Sequence, residues 1–292
     1  MRPDRRTVLA GGAAAIVVPH AAFAFAGSPA VAARATRLRV VDDRVFVAVV
    51  VNRRTTMAVV DSGAELTVLD RDFAAALGLR GGAVATARGT GEATTEATLV
   101  GGAEIVVAGL RLRPARVAVI DLGDVSRRLK MARIDVILGR DLFDAAPLAI
   151  DLAAGTLAVG GMRPRGVQLP LTGGRGVETL PVTIEGLAAQ ADFDLGNGGT
   201  VLIGAGFASR HRLLDDGRAT AAIRGGGIGG ATMQTTLALR TLDLAGHRFY
   251  DVPAAIDSSP TAADANIGVR LLRRFGIVTD FPNRAVWLDY RG

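Results

Sequence analysis

The chain has 292 residues, 49% of them hydrophobic and only 4% aromatic, with 37 glycines and no cysteine. That length suffices for one or two domains with a buried core, the composition excludes a disordered chain, and the lack of cysteine excludes disulfides, thiolate chemistry, Cys-based metal sites and a lipoprotein anchor. The formal net charge is +6, yet Lys130 is the only lysine among 34 basic residues, and the arginines come as scattered singles and pairs without interleaved aromatics, which argues against a nucleic-acid partner.

Residues 1–26 stand apart from the fold. Arg5-Arg6-Thr7-Val8-Leu9 is a twin-arginine pair followed by apolar residues, then an Ala/Gly/Val stretch, then Ala24-Phe25-Ala26 as a small-x-small cleavage site. The apolar part is too short to remain as a spanning helix. It reads as a bacterial export signal of the twin-arginine type, with a periplasmic or secreted mature protein and no stable membrane insertion.

Val45–Val51 is a continuous β-branched run and predicts a strand, with Asn52-Arg53-Arg54 as a hairpin turn into Thr56–Val60. Asp61-Ser62-Gly63 follows as a tight turn, and Ala64–Leu69 resumes the apolar pattern. Asp70 is placed to cap a short helix over Arg71–Leu77, closed by Gly78. Ala85–Thr98 is polar and glycine-spaced and reads as a hairpin. Strands are expected at Ala103–Val107 and Leu110–Ile120, a solvated basic loop at Ser126–Arg133, a core strand at Ile134–Gly139, and a short helix from Arg140 that Pro147 ends. Residues 161–176, rich in glycine and proline, mark a linker between a first unit at 39–160 and a second at 177–292.

In the second unit, Val182–Glu185 and Ala188–Phe193 predict a hairpin, and Gly206–Leu214 a helix. Residues 223–230 hold five glycines, including a Gly-x-Gly-x-x-Gly match at Gly225, Gly227 and Gly230. The strand-like pattern after it, where a phosphate-binding helix should start, excludes a dinucleotide loop, and the glycines predict a mobile loop instead.

The two units echo one another. With Asp194 placed on Asp61, Gly196 falls on Gly63, Thr200 on Thr67, Val201 on Val68 and Leu202 on Leu69, with no gap. Downstream, Asp135-Val136-Ile137-Leu138-Gly139 matches Asp264-Ala265-Asn266-Ile267-Gly268, and each of these glycines precedes an aspartate, Asp151 or Asp280, by twelve residues. An aspartate directly after an apolar strand is at least half buried, which is costly unless compensated.

Asp61-Ser62-Gly63-Ala64, the later Ile137-Leu138-Gly139 and the internal duplication together resemble the pepsin and retroviral aspartic proteases, over roughly residues 40–290. The resemblance implies an all-β, two-lobed pepsin-like fold built from two duplicated retropepsin-like β-barrel units with short helices. It implies a catalytic pair, Asp61 and Asp194, that activates a water to hydrolyse peptide bonds, with no cofactor and no metal. Ser62, Gly63, Ala64, Gly196 and Asn197 would support the site, and Gly89, Thr90, Gly91 in the first unit with Gly227 and Gly229 in the second would form flaps over a peptide or protein substrate. Because retroviral units pair as homodimers and here the pair is fused, a monomer is expected.

The sequence departs from the family pattern at Leu195, which has no hydroxyl where the family carries Thr or Ser, and at Asn266, an erosion of the second apolar-Gly motif where Ile137 stands in the first. Two readings stay open: an active aspartic endopeptidase with a tolerated asymmetry, or an exported peptide-binding pseudoprotease with a degenerate second lobe. Outside the leader the histidines are His211 and His247, with no metal-ligand motif, and there is no Gly-x-Ser-x-Gly elbow and no Walker A loop.

Overall fold

The computed structural model describes residues 35–292 except 90, 92, 132, 161, 174, 175, 260 and 261; the leader, and Thr90 of the first flap candidate, lie outside the described residues. Among the described residues no helix is long and apolar enough to cross a membrane.

The first lobe runs β1 (Thr36–Val41), β2 (Arg44–Val51), β3 (Arg54–Val60), β4 (Val68–Asp70), α1 (Arg71–Ala76), β5 (Ala83–Ala87), β6 (Thr95–Val100), β7 (Ile105–Val107), β8 (Leu110–Leu112), β9 (Val117–Ile120), α2 (Gly123–Arg128), β10 (Val136–Leu138), α3 (Arg140–Phe143), β11 (Leu148–Asp151) and β12 (Thr156–Val159). After β13 (Val167–Pro170), the second comprises β14 (Thr179–Ile184), β15 (Leu187–Phe193), β16 (Val201–Gly204), α4 (Ala205–Arg210), β17 (Ala221–Gly227), β18 (Gly230–Leu244), β19 (His247–Asp257), β20 (Ala265–Ile267), α5 (Val269–Leu272), β21 (Phe275–Asp280) and β22 (Ala285–Tyr290).

The hairpins follow from local chemistry. The two central residues of the β2–β3 turn, Asn52 and Arg53, both have positive φ, as do Glu185 and Gly186 between β14 and β15. That geometry matches the right-handed twist of the flanking strands. Asp70 caps α1 as its sequence position predicts, its Oδ1 accepting from the N–H groups of Asp72 and Phe73.

The second lobe is a closed ring: β14, β15, β20, β16, β19 and β18 pair in that order, and β18 returns to β14. The first lobe repeats the pairing with β2, β3, β10, β4, β9 and β6. There, the counterparts of the long β18 and β19 are broken into β6 with β7 and β8 with β9. Gly102, at φ 84°, turns the first break, and Pro114, which has no N–H to give a ladder, falls in the second. The expected single strand over 110–120 is therefore two.

Between the lobes lies a shared antiparallel sheet in the order β13, β22, β21, β11, β12, β1. Its central pair joins the closing strands of the two lobes, Ile150 standing opposite Ile277. The stretch 161–176, expected as a linker, thus contributes β13, paired with β22 from Val167 opposite Leu288 to Pro170 opposite Ala285. Phe281 stacks on Phe143 of the first lobe at 5.0 Å and meets Phe193 of the second edge-on at 6.5 Å, so an aromatic joint fills the space behind the site. Arg140 reaches Glu178, which is 1% exposed, at 2.8 Å, and Arg284 stands 3.5 Å from the same carboxylate. The chain is therefore an all-β fold of two barrel-like lobes in the pepsin-like arrangement.

The basic stretch 126–133, expected to be a solvated loop, begins inside α2. Leu122, Val125 and Leu129 share one helical face and pack on an apolar cluster of the first lobe. Buried Ser126 donates its Oγ to the Leu122 carbonyl at 2.9 Å and accepts from the Ile134 N–H at 3.0 Å. The glycine-rich 223–230, expected as a mobile loop, is instead a regular hairpin, with Gly225 opposite Thr232 and Gly227 opposite Gly230.

Candidate active site

In each lobe an apolar strand ends on an aspartate that the parallel strand beside it anchors. Asp61 N–H donates to Leu138 O at 3.0 Å, and Asp194 N–H to Ile267 O at 3.2 Å. The turn then crosses over the following apolar-Gly segment: Arg140 N–H reaches Ala64 O at 2.9 Å, and Val269 N–H reaches Asn197 O at 2.8 Å. Glycine is required at that crossing, because a Cβ at Gly139 would lie 2.8 Å from Ala64 O and one at Gly268 would lie 2.6 Å from Asn197 O.

The two aspartates meet across the lobe boundary, close enough for the charge of one to act on the other. Each packs on the other turn's glycine: a Cβ at Gly63 would stand 2.8 Å from Asp194 Oδ1, and one at Gly196 would overlap the Asp61 carboxyl group. Gly63 N–H donates to Asp61 Oδ1 at 2.9 Å. Burial first, and the nearby Asp194 second, push the Asp61 pKa from 3.8 to about 8 against the opposing pull of the Gly63 N–H and the Arg44 guanidinium. At neutral pH that raised pKa keeps Asp61 protonated.

Ser62 bridges the lobes. Its hydroxyl donates to Phe193 O at 2.7 Å and accepts from Leu195 N–H at 2.9 Å, so one buried side chain satisfies both backbone groups of the opposite turn. Leu195, in the equivalent place, returns no hydroxyl bond and is fully buried in the core.

The second turn is wired differently. Asp194 Oδ1 accepts from Gly196 N–H at 2.7 Å and Asn197 N–H at 3.1 Å, and its Oδ2 accepts from the Asn266 amide at 2.7 Å. Asn266 in turn accepts from the Asn197 side chain at 2.7 Å, and Asn197 Oδ1 accepts from Gly199 N–H at 2.8 Å. The expectation that Asn266 marks erosion of a motif is corrected: its register puts an amide where Ile137 puts an alkyl group, and the amide binds the aspartate.

Arg44, at the start of β2, is a cation that acts on the pair. It interacts with both Asp61 and Asp194, and burial holds its pKa below the ordinary arginine range. Its Nη1 is buried against Gly198 with no hydrogen-bond partner among the described residues, while the neighbouring Asp43 binds Arg270 at 2.6 Å. Nothing in the sequence marks Arg44, since it lies outside both repeats of the aspartate turn. Asn266 was visible only as a departure from the first copy.

Four of the expected flap residues come together. The tips of the β5–β6 and β17–β18 hairpins pair with one another, Gly91 N–H donating to Ile228 O at 3.1 Å and Ala93 N–H to Gly229 O at 2.9 Å. Gly89 and Gly91 leave no room for a Cβ, because one at Gly89 would stand 2.7 Å from Ile228 O and one at Gly91 would overlap the Gly229 backbone. Arg128 of α2 binds the Gly227 carbonyl. Half-buried Ile228 packs against the first-lobe cluster that holds Ile137, Ile120 and Leu122, and Ala64 of the aspartate turn packs against the same cluster. His247 stacks on Tyr290, and His211 meets Phe207 at a tilt of 50°.

Residues 47–142, essentially the first lobe from β2 to α3, match the family described as aspartyl protease. No curated protein matches the chain.

Proposed function

We propose that this chain is an aspartic endopeptidase whose two lobes each supply one carboxyl group. The observation that carries the reading is the Asp61–Asp194 pair, brought together by equivalent strand ends, each carboxyl group packed on the other turn's glycine and Asp61 kept protonated at neutral pH. Charged Asp194 takes a proton from a water held between the two groups as its oxygen attacks the peptide carbonyl. Protonated Asp61 donates a hydrogen bond to the carbonyl oxygen and stabilises the charge that develops there. No covalent intermediate and no cofactor take part. The paired hairpin tips must part to admit an extended peptide and can close over it with backbone hydrogen bonds. The twin-arginine leader supports an exported, periplasmic or secreted enzyme, and the fused lobes support a monomer acting on a peptide or protein substrate, with no nucleic acid and no membrane span involved.

Fully buried Leu195 favours one competing reading, a peptide-binding pseudoprotease, because it leaves the hydroxyl bridge one-sided. The test is cleavage of a random-peptide pool by residues 27–292 between pH 3 and 8, beside Asp61→Asn and Asp194→Asn. The endopeptidase reading expects hydrolysis that both substitutions abolish. Peptide affinity without turnover, unaffected by Asp194→Asn, would establish the binding protein instead.

A further inference from the structure

We propose that Asn266 is a positioning residue that makes the carboxyl pair unequal, keeping Asp194 as its ionised member and leaving the shared proton to Asp61. This rests on the endopeptidase reading only for its catalytic consequence; the asymmetry itself belongs to the carboxyl pair.

The two lobes present similar turns to their aspartates, and the second adds one backbone N–H and one side-chain amide. Asp61 receives the Gly63 N–H. Its lobe offers Ile137 and Ala64 at the positions where a second-lobe amide could act, and both lie in or against the apolar cluster. Asp194 receives two backbone N–H groups on Oδ1 and the Asn266 amide on Oδ2. Donors favour the charged form of a carboxyl group, so three on one aspartate and one on the other bias a single proton toward Asp61. A lone amide at 266 could turn its oxygen to Asp194 instead. The Asn197 Nδ2 donated to Asn266 Oδ1 prevents that, because it fixes the oxygen on the far side, and Gly199 N–H in turn fixes Asn197. The chain Gly199, Asn197, Asn266, Asp194 therefore points its donors one way only.

Of the charged groups near the pair, Arg44 acts on Asp194 ahead of Asp61 and so leans the same way as the Asn266 amide. Arg44 faces both aspartates from β2, and beyond it Arg270 of α5 is neutralised by Asp43 of the β1–β2 turn. The asymmetry at Leu195 lies in the hydroxyl bridge, which reaches backbone groups rather than the carboxyl oxygens. A lobe with Leu195 in place of a hydroxyl residue thus carries another device that orders its aspartate.

The test follows the pair by carbon-13 NMR of aspartate carboxyl groups in residues 27–292, with signals assigned by their disappearance in Asp61→Asn and Asp194→Asn. Asn266→Ile installs the residue of the other lobe, and Asn197→Ala frees the amide to rotate. Loss of a donor to the charged form raises the pH at which that form is reached. The lower of the two titration steps is therefore expected to move up by about one to two pH units in Asn266→Ile and by a smaller amount in Asn197→Ala. The acid limb of kcat/KM should move with it, and kcat should fall about tenfold with KM little changed. A lower step that stays within about 0.3 units in both folded variants, in a wild type that cleaves peptides, overturns the assignment and leaves the endopeptidase reading standing. A step that moves in a protein that hydrolyses nothing supports the assignment and overturns the endopeptidase reading instead.

Discussion

Replacing Asp61 with Asn removes a buried ionisable group while keeping a side chain that can hydrogen-bond Asp194. The wild-type carboxyl group titrates near pH 8 in the folded protein and near 3.8 when exposed. Its folded pKa is raised, so the stability it contributes is fully present below pH 3.8 and is lost as pH rises toward 8. Between pH 4 and 7 that is about three pH units at 1.36 kcal/mol each, an upper value of about 4 kcal/mol. Asn at 61 has no such dependence. Denaturant and thermal unfolding of both proteins from pH 4 to 8 should give nearly equal stabilities at pH 4 and a more stable variant at pH 7, by up to about 4 kcal/mol, or on the order of 10 °C. Subtracting one protein from the other cancels groups such as Asp243, whose pKa Arg248 lowers. The same variant should hydrolyse nothing. A gap between the two proteins that is flat from pH 4 to 8 would refute the claim that a buried shared proton resides on Asp61.

Three further outcomes follow from the geometry. Ser62→Ala strands the Phe193 carbonyl and the Leu195 N–H in a buried joint, and should cost about 2–3 kcal/mol in denaturant unfolding, with Ser62→Thr recovering most of it. Gly196→Ala places a methyl group in the Asp61 carboxyl group, so kcat should fall about 100-fold or more by peptide assay, with a melting temperature that shows the variant still folds. Arg140→Met removes the closest partner of buried Glu178 and leaves Arg284 at 3.5 Å; about 3 kcal/mol should be lost, measured at neutral pH.

Much of the fold could be read along the chain because its causes are local. The apolar run Val45–Val51, the turn at Asn52–Arg53, the Asp70 cap and the glycine after each aspartate act within a few residues of themselves, and repeating them at one spacing announced two equivalent lobes. Asp61 and Asp194 were legible for the same reason, since each closes an apolar strand with a small-residue turn. Breaks in strand continuity were harder to read: Pro114 splits one expected strand, and residues 167–170 pair with β22 at the far end of the chain. The apolar face of α2 was hidden under its arginines, because three spaced residues carry the packing while the charges carry the composition.

What the sequence by itself determined is the pair of turns and the kind of residue each must hold, since strand, turn and glycine requirements are settled by neighbouring atoms. Only the tertiary structure decided which aspartate keeps the proton. That depends on counting donors from Gly196, Asn197 and Asn266 on one side against Gly63 on the other, and on Arg44 arriving from β2. A pKa is set by every charge and dipole within a few ångströms, and residues 44 and 266 reach that distance only once the chain has closed.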